Sequence, residues 1–211
     1  PMMAHWAFYL SLILFAVGAL VACGVFFGTL AVARRDKTYE GSVPLVTFGA
    51  TTAAIIAVFT ILSGAFILVP TFFVSIGLLE SVDPLIYRVV WWAFGHSSQQ
   101  INVAAHISIW YAVAAIAFGA KPMSERVSRG AFLLYILFLQ LASAHHILAD
   151  PGVSTEWKVV NTSYFMYFAV LGSMIHALSI PGAMEVAQRA RGYNKGLFEW
   201  LRKAPWGNPT F

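Results

Sequence analysis

The chain of 211 residues is 59% hydrophobic and only 10% charged, whereas soluble domains carry about a quarter charged residues. With a mean hydropathy of +0.74, this composition excludes an ordinary soluble domain and indicates an all-α integral membrane protein, because the apolar runs have the length of membrane-spanning helices. The net charge of +4 does not indicate a nucleic-acid partner, since Lys and Arg lie in short segments between apolar runs.

Five apolar segments are long enough to span a bilayer, which takes about 20 residues of helix. We predict these spans at residues 4–33, 44–79, 84–119, 124–148 and 154–190. Pro70 predicts a kink in the second span, and Asp83 followed by Pro84 predicts the start of the third. No repeat or linker divides the chain, so we expect a single membrane domain over residues 1–211.

Basic residues collect after the first, third and fifth spans, and acidic residues follow the second and fourth. Because positively charged loops stay in the cytoplasm, this pattern predicts an N-terminus outside and a C-terminus inside the cell. The first apolar run is too long for a cleavable signal, and a chain that begins at Pro1 is expected to be an excerpt or a processed piece.

Three histidines lie on the third and fourth predicted spans. His96 comes about 12 residues, or about 18 Å, into the inward-running third span, and His145 and His146 occupy the final turn of the outward-running fourth span. All three are therefore expected in the outer half of the membrane, where they can meet. Neutral imidazoles suit copper, and the single cysteine excludes a site with several thiolates. The alternative is that they form hydrogen bonds between helices.

The residues around His96 have two interpretations each. Trp92 precedes His96 by one turn and is either a wall of a cofactor pocket or a packing residue. Gln99 and Gln100 share the face of His96 and point either at a bound metal and its ligand or at a neighbouring helix.

Other polar residues occur inside the spans. His106 is expected to be buried and hydrogen-bonded, or part of a proton route, with the structural role preferred. His5 and His176 are expected to be structural. Asn161 opens a polar row in the fifth span, which suits water binding, proton transfer or helix contacts.

Several motifs occur in the order found in one known family. Gly95-His96 is followed by His145-His146 and Ala149-Asp150-Pro151-Gly152, and HWAFYL begins at His5. VDPL begins at Val82, and a tail motif runs over residues 196–209. The chain resembles the catalytic subunit, subunit I, of B-type haem–copper oxidases. The resemblance implies that the chain forms part of the subunit I helix bundle. It also implies that His96, His145 and His146 are ligands of the active-site copper, copper B.

The resemblance covers only the central helices of that family. The haem-ligating histidines of the family lie on helices before and after the matched part, so haem is expected to be ligated outside this chain. The resemblance therefore implies a split subunit or a partial chain in a prokaryotic plasma membrane. It also implies a partner chain that carries the haem ligands and a separate electron-donor subunit.

Gln100 departs from the A- and B-type oxygen reductases of the family, which have a tyrosine four residues after the first copper histidine. C-type enzymes have this tyrosine on the next helix, where Tyr135 of this chain is a poor substitute. Nitric oxide reductases of the superfamily lack this tyrosine, so the resemblance favours reduction of nitric oxide to nitrous oxide, with Gln100 and Gln99 beside the reacting ligand. The alternatives are a cytochrome c oxidase that reduces O2 to water and a non-catalytic scaffold that lost its haems.

Overall fold

The computed structural model describes residues 3–196 and 199–202, and it is all-α over this part. Five segments are long and apolar enough to cross a membrane: Trp6–Arg35, Leu45–Ser75, Pro84–Phe118, Glu125–Ile147 and Thr155–Ala190. The five predicted spans are confirmed. Most of the tail motif at 196–209 lies outside the described residues.

The first three spans are continuous helices. They are α1 (Trp6–Arg35), α2 (Leu45–Ser75) and α3 (Pro84–Phe118). At the start of α3 the Asp83 carboxylate accepts hydrogen bonds from the backbone N–H groups of the two residues after Pro84, at 2.7 and 3.3 Å. The proline itself needs no partner because it has no N–H to satisfy. α2 continues through Pro70, so the kink expected there stays a prediction.

The fourth and fifth spans are interrupted. The fourth consists of α4 (Glu125–Leu134), a π-helical stretch at Tyr135–Leu139 and a 3₁₀ turn at Ala144–Ile147. The fifth consists of α5 (Thr155–Val160), a second π-helical stretch at Asn161–Phe165 and α6 (Met166–Ala190). A short helix, α7 (Glu199–Arg202), follows. The predicted position of His145 and His146 in the final turn of the fourth span is confirmed, and that turn is a 3₁₀ turn that lies beyond a break.

The largest buried cluster joins α2, α3 and the fourth span. Its centre contains Ile56, Tyr111, Phe132 and Tyr135, all at most 5% exposed. Gly49 allows this close approach, because a Cβ atom there would lie 2.6 Å from Cζ of the Phe132 ring. By contrast, α1 has a single buried residue, Tyr9, and presents apolar side chains outward, as expected of a helix in lipid or beside further helices.

Candidate metal centre

Three imidazoles converge where α3 meets the 3₁₀ turn of the fourth span. Nδ1 of His96 lies 3.1 Å from Nε2 of His146, and the ring centroids of His96 and His145 are 4.7 Å apart. One nitrogen from each of the three residues falls within 4.8 Å of the others. His96 therefore lies beside the His145–His146 pair, as the topology predicted.

The donor set fits a copper ion. Two nitrogens that bind one metal at about 2.0 Å each, at an angle of about 100°, are about 3.1 Å apart, which matches the His96–His146 separation. Nδ1 of His145 is buried without a hydrogen-bond partner among the described residues. An unpartnered buried nitrogen is costly unless something else satisfies it. A bound metal ion is one group that would satisfy it.

The centre is closed on one side and open on the other. His96 is buried at 3% exposure, His145 is half-buried, and His146 is exposed. Among the described residues, the centre is therefore accessible on the side of His146.

Trp92 forms one wall of the centre. Its indole stacks on the imidazole of His146, with ring centroids 4.0 Å apart and an interplanar angle of 5°. Trp92 lies one helical turn before His96, so a single face of α3 supplies both a metal donor and a support for the donor from the next span. The sequence left two interpretations of Trp92 open, and this position supports the one in which it is a wall of the pocket.

Gln99 and Gln100 lie in the helical turn after His96. Gln99 is exposed and Gln100 is half-buried, and within residues 3–196 neither side chain forms a hydrogen bond to the histidines. Their proposed contact with a metal-bound ligand stays a prediction.

The loop after the histidine pair is fastened to the beginning of α3. The Asp150 carboxylate pairs with Arg88 at 2.9 Å and accepts the backbone N–H of Gly152 at 3.0 Å. Lys158 donates to the backbone carbonyl of Asp150 at 2.5 Å. Gly152 packs so closely on α3 that an added Cβ would lie 2.6 Å from Leu85. Sequence reasoning placed this loop but missed Arg88.

A buried polar link lies next to His96. The Ser97 hydroxyl donates to the Gln140 side-chain oxygen at 3.0 Å, and the Gln140 amide donates to the Ile56 carbonyl at 3.1 Å. This link joins α2, α3 and the fourth span one residue from a donor imidazole. Gln140 was not predicted, although a glutamine inside an apolar span is itself a signal.

The other histidines lie apart from the centre. His106 is exposed among the described residues, so the expected burial is not seen there. It lines a cavity of about 300 Å³ with Ser173 and His176. His176 is buried and pairs through Nδ1 with the Tyr111 hydroxyl at 3.0 Å. His5 caps α1 by accepting the N–H of Ala7.

Tyr135 is fully buried in the π-helical stretch of the fourth span. Its hydroxyl lies 2.9 Å from the hydroxyl of Ser173 and forms no hydrogen bond with the three converging histidines among the described residues. The expectation that Tyr135 is a poor substitute for an active-site tyrosine agrees with this placement.

Comparison with known proteins identifies the family. The family described as Cytochrome C and Quinol oxidase polypeptide I matches residues 1–211. The chain belongs to this family. The predicted likeness to subunit I of the haem–copper oxidases is therefore confirmed, together with the all-helical membrane fold.

Two relatives of this subunit I chain give the extent of the match. Cytochrome c oxidase subunit 1 of Thermus thermophilus is 34% identical over 217 residues, which cover 100% of this chain and 37% of that protein. A solved haem–copper terminal oxidase dimer matches with a TM-score of 0.85 and 27% identity, over 96% of this chain and 36% of that one. The chain thus spans little more than a third of the length of these relatives.

Proposed function

We propose that this chain supplies the copper-binding half of the active site of a respiratory haem–copper reductase. The convergence of His96, His145 and His146, with one nitrogen from each within 4.8 Å of the others, carries the proposal. Membership of the subunit I family supports copper over other metals, and so does the all-imidazole donor set.

The chain's own residues have distinct roles in this proposal. His96, His145 and His146 bind copper, which supplies one-electron chemistry and an open position for a gas molecule. Trp92 holds the His146 ring by stacking. Haem would be ligated by residues outside this chain and would supply the second redox centre.

The preferred substrate is nitric oxide, which would be reduced to nitrous oxide. Cleaving O2 to water takes four electrons, and a tyrosine hydroxyl near the metal can supply one electron and one proton. The amide of Gln100, which stands at the corresponding position, can supply neither. Joining two nitric oxide molecules, with loss of one oxygen as water, takes two electrons and two protons. In this proposal Gln100 and Gln99 hydrogen-bond the gas ligand.

Reduction of O2 is the second candidate. It is favoured by the Thermus relative, which is a cytochrome c oxidase subunit. A third candidate is a non-catalytic membrane scaffold that has lost its haems, which the intact donor set disfavours.

The proposed setting is a complex in a prokaryotic plasma membrane. Its other members are a chain or segment with the haem ligands and an electron-donor subunit. Basic residues after the first, third and fifth spans support an N-terminus outside and a C-terminus in the cytoplasm.

The deciding experiment measures turnover of the purified complex with a reduced electron donor. We expect nitrous oxide formation from nitric oxide to exceed O2 consumption, with copper and haem both present by elemental analysis and absorption spectroscopy. Rapid O2 consumption with negligible nitrous oxide would replace the preferred substrate by the second candidate. A complex free of copper and haem would reject both enzymatic functions.

A further inference from the structure

The fourth span is broken immediately before the histidine pair. After the π-helical stretch at Tyr135–Leu139, the N–H of Ala142 still bonds to the Phe138 carbonyl at 3.0 Å. The next bond is only two residues long, from the N–H of Ser143 to the Leu141 carbonyl at 2.9 Å. Helical hydrogen bonding therefore lapses between Leu141 and Ala144, and the 3₁₀ turn with the histidines begins there.

A single side chain from the fifth span bridges this break. Oδ1 of Asn161 accepts the backbone N–H of Ala144 at 2.8 Å, and its Nδ2 donates to the backbone carbonyl of Leu141. Asn161 is fully buried. One amide thus satisfies a donor on the far side of the break and an acceptor on the near side, where an uninterrupted helix would supply its own partners.

The break changes where the two histidines can point. Neighbouring residues of a regular α-helix leave its axis about 100° apart, so a straight helix would direct only one of the two at a point on α3. Beyond the break the rings of His145 and His146 have centroids 4.1 Å apart, and both lie beside His96.

We propose that Asn161 is a positioning residue of the copper centre, which holds the fourth span open so that His145 and His146 converge on His96. This inference rests on the proposed copper-binding role of the three histidines. It requires a side chain that both accepts and donates, as an amide does, whereas an aliphatic side chain does neither.

The amide is itself held by an irregularity of the helix. Asn161 begins the π-helical stretch Asn161–Phe165 of the fifth span, where one extra residue is accommodated in the helical turn. π-helical stretches occur frequently at functional sites. This one brings the Asn161 side chain against the break in the fourth span.

The test compares three variants of the intact complex. Asn161→Leu removes both bonds and keeps a side chain of similar size, and Asn161→Ala removes both bonds without adding bulk. Thr162→Val is the matched control, since Thr162 is the next residue of the same π-helical stretch and is exposed. Each complex is equilibrated against a series of buffered copper concentrations, and the copper-to-haem ratio and the infrared band of carbon monoxide bound at copper are measured.

We expect Asn161→Leu to weaken copper binding by about 10- to 100-fold, the range for residues that orient metal ligands. Asn161→Ala should weaken it over the same range and shift the carbon monoxide band, while Thr162→Val should match the wild type. Assembled Asn161 variants with wild-type copper affinity and an unshifted band would overturn the inference, and if the leucine variant does not assemble, the alanine variant decides. Failure of both to assemble, with a normal Thr162→Val complex, would also overturn it by showing a folding role only. A wild-type complex without copper would instead reject the proposed function.

Discussion

The indole of Trp92 and the imidazole of His146 lie parallel, with centroids 4.0 Å apart and 5° between their planes. The two rings come from different spans, so the stack fixes the orientation of a donor that is otherwise exposed. Aromatic pairs contribute about 0.5–1.5 kcal/mol beyond burial.

Replacement of this indole tests the stack. We expect Trp92→Leu to weaken copper binding about two- to tenfold, because a loss of about 0.5–1.5 kcal/mol corresponds to that change in affinity. Trp92→Phe should weaken it less. The copper-to-haem ratio across buffered copper concentrations measures the effect. Trp110→Leu, at an exposed tryptophan of the same helix, is the control, and an equal loss in that variant would contradict a specific role for Trp92.

Removal of a donor imidazole should abolish the centre. We expect His96→Ala to lose copper while haem absorption is retained, because two remaining imidazoles, one of them exposed, do not complete the donor set. His106→Ala, ten residues along the same helix and exposed, should keep its copper. Full copper occupancy in His96→Ala would refute the assignment of His96 as a ligand.

The amide beside the metal should affect turnover and not metal content. We expect Gln100→Leu to keep copper and to lower the kcat for nitric oxide about 100-fold or more, the scale for one hydrogen-bond donor to a reacting ligand. Asn102→Ala, an exposed amide two residues further along α3, is the control. An unchanged rate in Gln100→Leu would remove Gln100 from the catalytic residues.

The ion pair between Arg88 and Asp150 should stabilise the loop that follows the histidine pair. A double-mutant cycle with Arg88→Met and Asp150→Asn, read by thermal unfolding of the complex, is expected to show a coupling energy of about 1 kcal/mol. The value is modest because the Arg88 side chain is 56% exposed, although that of Asp150 is only 7% exposed. Additive effects of the two substitutions would show that the pair contributes nothing.

The close packing of α2 should not tolerate a methyl group at Gly49. Its Cβ would lie 2.6 Å from the Phe132 ring and 3.0 Å from Cβ of Ser108, so Gly49→Ala should destabilise the fold by about 1–3 kcal/mol. Gly18→Ala is the control, since nothing lies within 4 Å of a Cβ at that position of α1. Equal unfolding midpoints for the two variants would refute the packing argument.

The spans and the meeting of the histidines were predictable from local features. Apolar length defines a membrane helix, Asp83 with Pro84 begins α3, and the direction of each span follows from the charges of the loops. These signals depend only on neighbouring residues. They were sufficient to bring His96 and the histidine pair to comparable depth.

The residues that hold the centre were less predictable, because their partners are distant in the chain. Asn161 contacts a backbone group 17 residues away, and the Gln140 amide contacts one 84 residues away. A break satisfied by a side chain from another helix leaves no local mark, since the sequence around Leu141 is compatible with regular helix. The burial expected of His106 likewise depends on which neighbours cover a helix face.

The three converging imidazoles come from one transmembrane hairpin, the pair of consecutive spans that begins with α3. In the proposed function, the metal-binding face is completed within this chain once Asn161 of the fifth span packs against that hairpin. Copper delivery would then not need to wait for haem, which the proposed function assigns to residues outside this chain.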